Sequence, residues 1–179
     1  GQSPYSASKI AADKLSESYF NSFETPVITI RPFNTFGPRQ SSRAVIPTII
    51  SQLLTNQDLK LGELKATRDF TFVGDTVKGY IKAIESKKLY GEVINLGYGK
   101  TISILDTAKL IMKILGREQE IFVDDKRVRP ENSEVFELVS DNSKAKKTLN
   151  WQPKLTFKEG LLETISFVEN NLDFYKSNL

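Results

Sequence analysis

A tyrosine and a lysine stand four residues apart near the start of the chain, at Tyr5 and Lys9. Ser3 is a good N-cap and Pro4 a good first helical residue, so the sequence predicts a helix from Pro4 to about Phe23. On a helix this spacing places the phenol and the ammonium group on one face. Because a nearby fixed positive charge favours the phenolate, the pair could accept a proton from an alcohol or sugar hydroxyl.

The same spacing also has a structural interpretation, in which a half-buried tyrosine lies beside a solvated lysine. A tyrosine followed by a lysine four positions later occurs by chance about once in several hundred residues. The pair therefore indicates chemistry only if the rest of the chain supplies elements that position a substrate opposite it.

Composition removes most other kinds of active site. The 179 residues include neither Cys nor His, which excludes disulfides, cysteine nucleophiles, Ser-His-Asp triads and histidine-ligated zinc. Tyr, Lys, Asp and Glu remain for acid and base work, and we expect no metal site. A 39% hydrophobic and 26% charged composition is typical of a soluble globular protein.

Charge and hydropathy patterns narrow the partners. The formal net charge is +3 and no basic run stands out, which favours a small anionic ligand over nucleic acid. No apolar run approaches the roughly 20 residues that span a bilayer, and no signal-peptide pattern opens the chain, so we predict a cytoplasmic protein. The first residue is Gly1 and the only methionine is Met112, so we expect an N-terminal portion to precede this sequence.

Helices and strands are predicted to alternate after the first helix. Asp75 is expected to cap a helix with Val77, Tyr80, Ile81 and Ile84 on its inner face, and Ser103 to cap one that Gly116 ends. Trp151 is assigned to the core. Further helices are predicted at 48–54, 143–149 and 157–171, and strands at 27–30, 59–61, 68–73, 93–96 and 120–123.

The segment 31–40 is rich in proline and glycine and follows the strand predicted at 27–30, so we expect a loop there. Helix, strand and loop in this order are typical of a doubly wound parallel sheet, in which ligands bind at the carboxyl ends of strands. Asn34 in this loop could donate its amide to a ligand, or it could simply stabilise an Asx turn.

At these residues the sequence resembles the extended short-chain dehydrogenase/reductase superfamily, specifically its NAD-dependent nucleotide-sugar epimerases and dehydratases. Segments 4–9 and 31–40 are similar to the catalytic helix and the substrate loop of that family. Further similar segments follow in the expected order at 68–75, 95–97, 129–130, 149–153 and 159–161. The resemblance implies the C-terminal part of a Rossmann-type doubly wound parallel sheet plus a smaller α/β substrate-binding domain.

Segments 41–47 and 129–135 most resemble the 4,6-dehydratases that act on UDP-N-acetylglucosamine in legionaminic acid pathways. UDP-glucose 4-epimerases and UDP-glucuronate decarboxylases share most of the other segments, so these remain alternatives. Preference for NAD or NADP is also open, because the residues that would set it are not in the sequence.

The resemblance implies a role for each site residue. Tyr5 would take the proton from the sugar C4 hydroxyl during oxidation by NAD, and Lys9 would favour the phenolate and hold the nicotinamide ribose. Pro32 would line the cofactor site. The residues implied in binding the UDP-sugar are Asn34, Arg43, Arg68, Asn95, Arg129 and Glu134.

Some of these assignments have structural alternatives. Arginine suits bidentate contacts with a diphosphate, which supports Arg68 and Arg129. Arg43 could instead be a solvated charge, and Asn95 could satisfy backbone groups at a strand end. Glu134 would accept hydrogen bonds from the uridine ribose.

The first half of the family pattern, including the glycine-rich phosphate loop, is not in this sequence. We therefore expect residues 1–40 to end the NAD-binding domain and 41–179 to form mainly the substrate-binding domain, with 69–97 returning to the first. The chain alone is expected to be inactive, and a non-catalytic fragment that binds nucleotide sugars is the alternative from a different class. The family also implies a homodimer through the catalytic helix.

Overall fold

The computed structural model describes residues 1–128 and 135–176, in which helices alternate with short strands. The helices are α1 (Pro4–Phe23), α2 (Val45–Leu54), α3 (Val73–Glu85), α4 (Ile104–Leu115), α5 (Ser143–Leu149), α6 (Phe157–Asn170) and α7 (Leu172–Lys176). The strands are β1 (Thr29–Pro32), β2 (Asn34–Phe36), β3 (Leu59–Leu61), β4 (Thr67–Arg68), β5 (Phe70–Phe72), β6 (Val93–Leu96), β7 (Ile102–Ser103), β8 (Ile121–Val123) and β9 (Glu137–Leu138).

Parallel pairing dominates the small sheets of the described residues. β1 pairs with β6, β2 with β5 and β3 with β8, all in parallel. β4 lies between β7, which is antiparallel to it, and β9, which is parallel. Parallel pairs need crossover connections, and the helices supply them. This mixed α/β architecture with parallel strands confirms the predicted fold class.

The larger hydrophobic cluster centres on Phe36, whose ring meets three other aromatic rings. Its centroid lies 6.1 Å from that of Phe70, 5.9 Å from Phe72 and 5.2 Å from Phe157. Edge-to-face contacts of this kind add to the free energy that area burial supplies. The cluster joins β2 and β5 to α6, and the apolar residues of α2 and α4 complete it.

A smaller cluster lies between the β1–β6 pair and helices α3 and α5. Ile94 and Leu96 of β6 are fully buried there beside Ala83, Leu149 and Trp151. Trp151 is thus a core residue, as predicted, and its indole N–H also donates to the backbone carbonyl of Asp75 at 2.9 Å.

The predicted inner face of α3 is wrong. Val77, Tyr80, Ile81 and Ile84 are exposed, and the buried residues of the helix are Asp75, Thr76, Gly79 and Ala83. The helix instead presents small residues to the smaller cluster and approaches it closely. A Cβ atom on Gly79 would lie 2.5 Å from a methyl carbon of Leu96.

Asp75 is not the N-cap of α3, because that helix begins at Val73 and its N-cap is Phe72. The Asp75 side chain is buried in the first turn, where one carboxyl oxygen accepts hydrogen bonds from the backbone N–H groups of Lys154 and Leu155 at 2.7 and 3.0 Å. It therefore connects α3 to the segment that precedes α6.

Segment 31–40 is not a continuous loop. Arg31 and Pro32 extend β1, since they continue its parallel register opposite Asn95 and Leu96. Asn34 to Phe36 form β2 in register with Phe70 to Phe72. The chain therefore leaves one parallel pair and enters another across the single residue Phe33.

Other predictions agree closely with the structure. Ser103 caps α4 through the N–H of Asp106, and Gly116 ends it in a left-handed conformation, as predicted. The strands at 59–61 and 93–96 and the helix at 143–149 are also confirmed. α2 begins at Val45 rather than at residue 48, and the stretch predicted at 68–73 divides into β4 and β5 at Asp69.

Helix α1 lies on the surface with little packing. Pro4 occupies its first turn, and the hydroxyls of Ser3 and Ser6 form a reciprocal capping box, as the Ser3-Pro4 start predicts. None of its twenty residues, all of them described, is buried. Four of its large apolar side chains, Ile10, Leu15, Tyr19 and Phe23, are at least half exposed.

Two contacts attach α1 to the β1–β6 region. The guanidinium of Arg31 donates to one carboxyl oxygen of Asp13, from Nε at 2.7 Å and from Nη2 at 2.6 Å. The Phe20 ring covers Gly91, where a Cβ atom would lie 2.3 Å from the ring. Because Arg31 and Ile30 alternate along β1, α1 lies on one face of the pair and the smaller cluster on the other.

Within residues 1–128 and 135–176, no helix is long and apolar enough to cross a membrane. The same residues hold no group of three or more Asp or Glu side chains that could bind a metal ion. The domain division at residue 40 stays a prediction.

We predict that Gly91→Ala loosens α1 without unfolding the rest of the chain. Gly91 has a φ of +82°, and a Cβ there would also meet the Phe20 ring. Gly116, with a φ of +63° and no atom within 4 Å of a Cβ, is the matched control. Both substitutions should cost about 1 to 2 kcal/mol of backbone strain. Only Gly91→Ala should speed amide exchange in α1, and equal exchange in the two variants would contradict the attachment described.

Candidate active site

A cavity of about 620 Å³ lies where β2, β4 and the start of α2 meet. Its lining combines polar and charged side chains with a few apolar ones. The lining residues are Asn34, Thr35, Gln40, Arg43, Ala44, Val45, Thr48, Leu61, Gly62, Glu63, Ala66, Arg68, Phe70, Ile104 and Arg127. Three of the predicted substrate residues, Asn34, Arg43 and Arg68, are thus brought together at one cavity.

Sheet register explains why these residues meet. Asn34 opens β2 opposite Phe70, the residue that opens β5. Arg68 is two residues before Phe70 and therefore reaches the same end of the β2–β5 pair. Arg43 lies just before α2, whose buried residues Ile46 and Ile49 fix that helix on the main cluster.

The cavity is rich in positive charge. Among the described residues, Arg43, Arg68 and Arg127 line it, together with one carboxylate, that of Glu63. The guanidinium of Arg68 donates to the backbone carbonyls of Thr67 and Val135, at 2.9 and 2.5 Å. Guanidinium groups bind phosphate oxygens in bidentate geometry, so this lining suits an anion.

Two amide side chains in the cavity keep hydrogen-bonding capacity. Among the described residues, the buried Nδ2 of Asn34 and Oε1 of Gln40 have no hydrogen-bond partner. The other amide atom of Gln40, Nε2, donates to the Thr35 carbonyl at 2.9 Å and so fixes the side chain. A buried polar atom without a partner is costly, and a ligand that supplied an acceptor to Asn34 would remove that cost.

Tyr175 of α7 contacts the backbone of Gln40, one of the residues that line the cavity. Its hydroxyl donates to the backbone carbonyl of Gln40 at 3.1 Å. Burial raises the pKa of Tyr175, because desolvation disfavours the phenolate. The hydroxyl therefore remains a hydrogen-bond donor at neutral pH.

Tyr5 and Lys9 lie outside this cavity, at the start of α1. Tyr5 is 71% exposed, and the Lys9 ammonium nitrogen lies 5.5 Å from the centre of the Tyr5 ring. The helix spacing therefore places the two groups side by side, as predicted, with the phenol open to solvent. Pro32 is exposed at the end of β1, on the strand to which α1 is attached.

Asn95 also lies outside the cavity lining. Its side-chain amide donates to the backbone carbonyl of Asp141 at 3.3 Å, which fits the structural alternative of a residue that satisfies backbone groups at a strand end. Arg129 and Glu134 lie outside the described residues. The cavity includes Arg127, which directly precedes that segment.

Three residues of functional interest were missed in the sequence. Gln40 ends the segment 31–40, whose resemblance to a substrate loop was a signal for it. Arg127 carries no local signal, because it lies in a charged turn. Asp69 follows Arg68 and is completely buried, and its importance comes from contacts with residues about 30 and 70 positions away.

Comparison with known proteins places this geometry in a family. The family described as GDP-mannose 4,6 dehydratase matches residues 1–164. The chain belongs to this family. The resemblance to nucleotide-sugar epimerases and dehydratases of the extended short-chain dehydrogenase/reductase superfamily is thereby confirmed.

The relatives include both epimerases and dehydratases. A Bacillus subtilis protein described as an uncharacterised UDP-glucose epimerase, YtcB, is 33% identical over 169 residues, which are 94% of this chain and 52% of the relative. UDP-glucuronic acid 4-epimerase from Bacillus cereus, solved with UDP-glucuronic acid and NAD, has a TM-score of 0.86 at 30% identity, covering 94% of this chain and 53% of its own. dTDP-glucose 4,6-dehydratase from Bacillus anthracis, solved with NAD, has a TM-score of 0.88 at 29% identity, covering 98% and 55%.

The chain spans about half the length of the relatives it matches. These two structural neighbours were solved with NAD, which agrees with the predicted cofactor. In this chain, Tyr5 and Lys9 are the residues that would hold the nicotinamide ribose of such a cofactor. Tyr5 and Lys9 are solvent-facing at the start of α1, whereas a glycine-rich phosphate loop between a strand and a helix is not found in the sequence.

Proposed function

We propose that this chain is the C-terminal portion of an NAD-dependent nucleotide-sugar 4,6-dehydratase that acts on UDP-N-acetylglucosamine or a similar UDP-hexose. The observation that carries this proposal is the arginine-lined cavity with the free amide atoms of Asn34 and Gln40. Its volume of about 620 Å³ is within the range of small-molecule sites.

The cavity supports a nucleotide diphosphate as the bound part of the substrate. A diphosphate presents several anionic oxygens, which match the donors of Arg43, Arg68 and Arg127. The Asn34 amide would donate to an oxygen of the diphosphate or of the sugar. Arg129 and Glu134 remain proposed contacts to the diphosphate and the uridine ribose, and Asn95 a proposed contact to the diphosphate.

Tyr5 is the proposed proton acceptor. Its hydroxyl would take the proton from the C4 hydroxyl of the sugar, and the Lys9 ammonium would stabilise the charge and bind the nicotinamide ribose. When bound, NAD supplies the oxidation at C4, and Pro32 would contact it. A carbonyl at C4 makes the C5 proton more acidic, so that loss of this proton and of the C6 hydroxyl would release water and leave a double bond between C5 and C6. Return of the hydride to C6, with a proton to C5, would give the 4-keto-6-deoxy sugar and restore NAD.

Epimerisation at C4 is the second candidate reaction. It begins with the same proton transfer to Tyr5, and the structural likeness to UDP-glucuronic acid 4-epimerase supports it as strongly as other relatives support dehydration. The two reactions differ in what happens after C4 is oxidised.

The exposed apolar residues of α1 support a homodimer through this helix. Leu15, Tyr19 and Phe23 lie on one side of α1 at helical spacing and are at least half exposed. A cytoplasmic location also stays a prediction from composition.

We predict that UDP binds to the chain and that Arg68→Ala weakens this binding. Loss of a charge-assisted contact should raise the Kd for UDP about 10- to 100-fold, measured by calorimetry. Arg117→Ala is the matched control, because Arg117 lies away from the cavity and donates to Asn56. Unchanged UDP affinity in Arg68→Ala would contradict the proposed site.

Titration with NAD tests the fragment alternative, since tight NAD binding by these 179 residues would contradict it.

In the intact protein that contains this chain, Tyr5→Phe should lower kcat about 10²- to 10⁴-fold, because the phenol that accepts the proton is removed. Product analysis with UDP-N-acetylglucosamine and NAD identifies the reaction. A 4-keto-6-deoxy sugar supports the dehydratase, whereas a C4 epimer that retains its C6 hydroxyl assigns the protein as an epimerase. Full activity in Tyr5→Phe would exclude Tyr5 as the proton acceptor.

We expect the intact protein to sediment as a dimer and Leu15→Glu to shift it to the monomer, because a carboxylate at an apolar interface must be desolvated. Glu17→Ala changes the opposite side of α1 and serves as the control. A dimer that persists in Leu15→Glu would show that α1 is not the interface.

A further inference from the structure

Asp69 is a buried carboxyl group that accepts four hydrogen bonds. It lies between β4 and β5, directly after Arg68, and its relative exposure is 0%. One oxygen, Oδ1, accepts from the Tyr98 backbone N–H at 2.7 Å. The other, Oδ2, accepts from the Gly99 N–H at 2.9 Å and from the backbone N–H and hydroxyl of Ser140 at 3.0 and 2.6 Å.

These bonds join three stretches of chain that are distant in sequence. Tyr98 and Gly99 follow the carboxyl end of β6, and Ser140 follows β9. The three stretches meet so closely that a Cβ atom on Gly97 would lie 2.1 Å from the Ser140 hydroxyl oxygen. A carboxyl group at this point can bind several N–H donors at once, which a neutral side chain of the same size cannot.

Asp69 is the residue that holds Ser140, the far end of segment 135–140. Just beyond it, the Asn95 amide donates to the Asp141 carbonyl at 3.3 Å and the Asn142 amide donates to the Gly97 carbonyl at 2.8 Å. Phe136, Leu138 and Val139 are exposed, and Ser140 is the one buried residue in this segment. Apolar burial therefore contributes little to its position. Backbone pairing with β4 holds its first part, where the Thr67 and Asp69 N–H groups donate to the carbonyls of Phe136 and Leu138.

Arg68 depends in turn on the near end of the same segment. Its guanidinium donates to the Val135 carbonyl at 2.5 Å, so that Val135 helps to aim the side chain at the cavity. If Ser140 were released, the segment would be held against β4 by the backbone pairing at Phe136 and Leu138. Looser pairing there would let the hydrogen bond between Arg68 and Val135 open more often.

We propose that Asp69 is a positioning residue that holds segment 135–140 across β4 and thereby keeps the Arg68 guanidinium aimed into the cavity. Asp69 does not touch the cavity, and its effect on a ligand passes through Arg68. The part that concerns ligand affinity rests on the proposed binding of UDP.

The first measurement needs no ligand. In the full chain, Asp69→Asn should raise the exchange rate of at least one of the Tyr98, Gly99 and Ser140 amides about 10-fold or more. The amide has one acceptor oxygen, and its NH2 group must face one or more of the four donors. NMR relaxation of the Arg68 Nε–H should show increased motion. Ser140→Ala, which removes only the hydroxyl bond, should give smaller changes in the same direction and applies even if Asp69→Asn folds poorly.

Asp75→Asn is the matched control. Asp75 is also a buried carboxylate, and it accepts two backbone N–H bonds from Lys154 and Leu155. This variant should speed exchange at those two amides and leave Arg68 unchanged. Equal mobility of Arg68 in Asp69→Asn, Ser140→Ala and the unaltered chain would overturn the proposal, and so would equal mobilisation by Asp75→Asn.

The second measurement separates positioning from general destabilisation. Asp69→Asn should raise the Kd for UDP about 10-fold while the Kd for uridine, which lacks the diphosphate, changes less than about 2-fold. In an Arg68→Ala background, Asp69→Asn should add less than about 2-fold for UDP. The proposal would be overturned if Asp69→Asn and Arg68→Ala each raised the Kd for UDP by their full factor when combined. It would also be overturned if Asp69→Asn weakened the binding of UDP and of uridine equally. If the unaltered chain does not bind UDP, the proposed function fails, and the exchange and relaxation measurements still decide the role of Asp69.

Discussion

The chain leaves the β1–β6 pair at Pro32 and enters the β2–β5 pair at Asn34. Opposite this point, Asp69 separates β4, which ends at Arg68, from β5, which begins at Phe70. Proline has no N–H to donate, so β1 cannot continue its hydrogen bonding on both sides at that point. The register Asn34 opposite Phe70 then sets the two divided strands side by side. The candidate cavity lies at this division, and its lining depends on that register.

The strand pairs on the two sides of Phe33 differ in how tightly helices pack on them. On one side, Phe36, Phe70 and Phe72 anchor the strands in a large aromatic cluster with α6. On the other side, α1 rests against the β1–β6 pair through Asp13 and Phe20. The arginine-lined cavity is therefore built on the well-packed side, and the Tyr5-Lys9 pair on the lightly packed one.

Sequence patterns within a few residues correctly predicted helix ends that are set by neighbouring residues. Ser103 and Gly116 delimit α4 because a side-chain cap and a left-handed glycine act within a few residues. The same reasoning failed at Asp75, whose carboxyl group is bound by residues about 80 positions later. Hydrophobic periodicity chose the wrong face of α3, because close approach at Gly79 and Ala83 depends on the shape of a distant cluster.

The candidate site shows the same limit. Asn34, Arg43 and Arg68 were chosen by resemblance, and the structure brings them to one cavity, which no local pattern could show. Gln40 was overlooked within a segment that was otherwise singled out. Asp69 was overlooked because a buried carboxylate is recognised by its donors, and those donors come from two other parts of the chain.

The light attachment of α1 also affects what thermal measurements report. An element with no buried residue can detach at a free-energy cost far below that of global unfolding. The melting temperature of this chain therefore reports on the cluster around Phe36 and says little about the helix that carries Tyr5. Variants selected for heat resistance would strengthen the cavity side of the molecule and leave the proposed proton acceptor as loosely held as before.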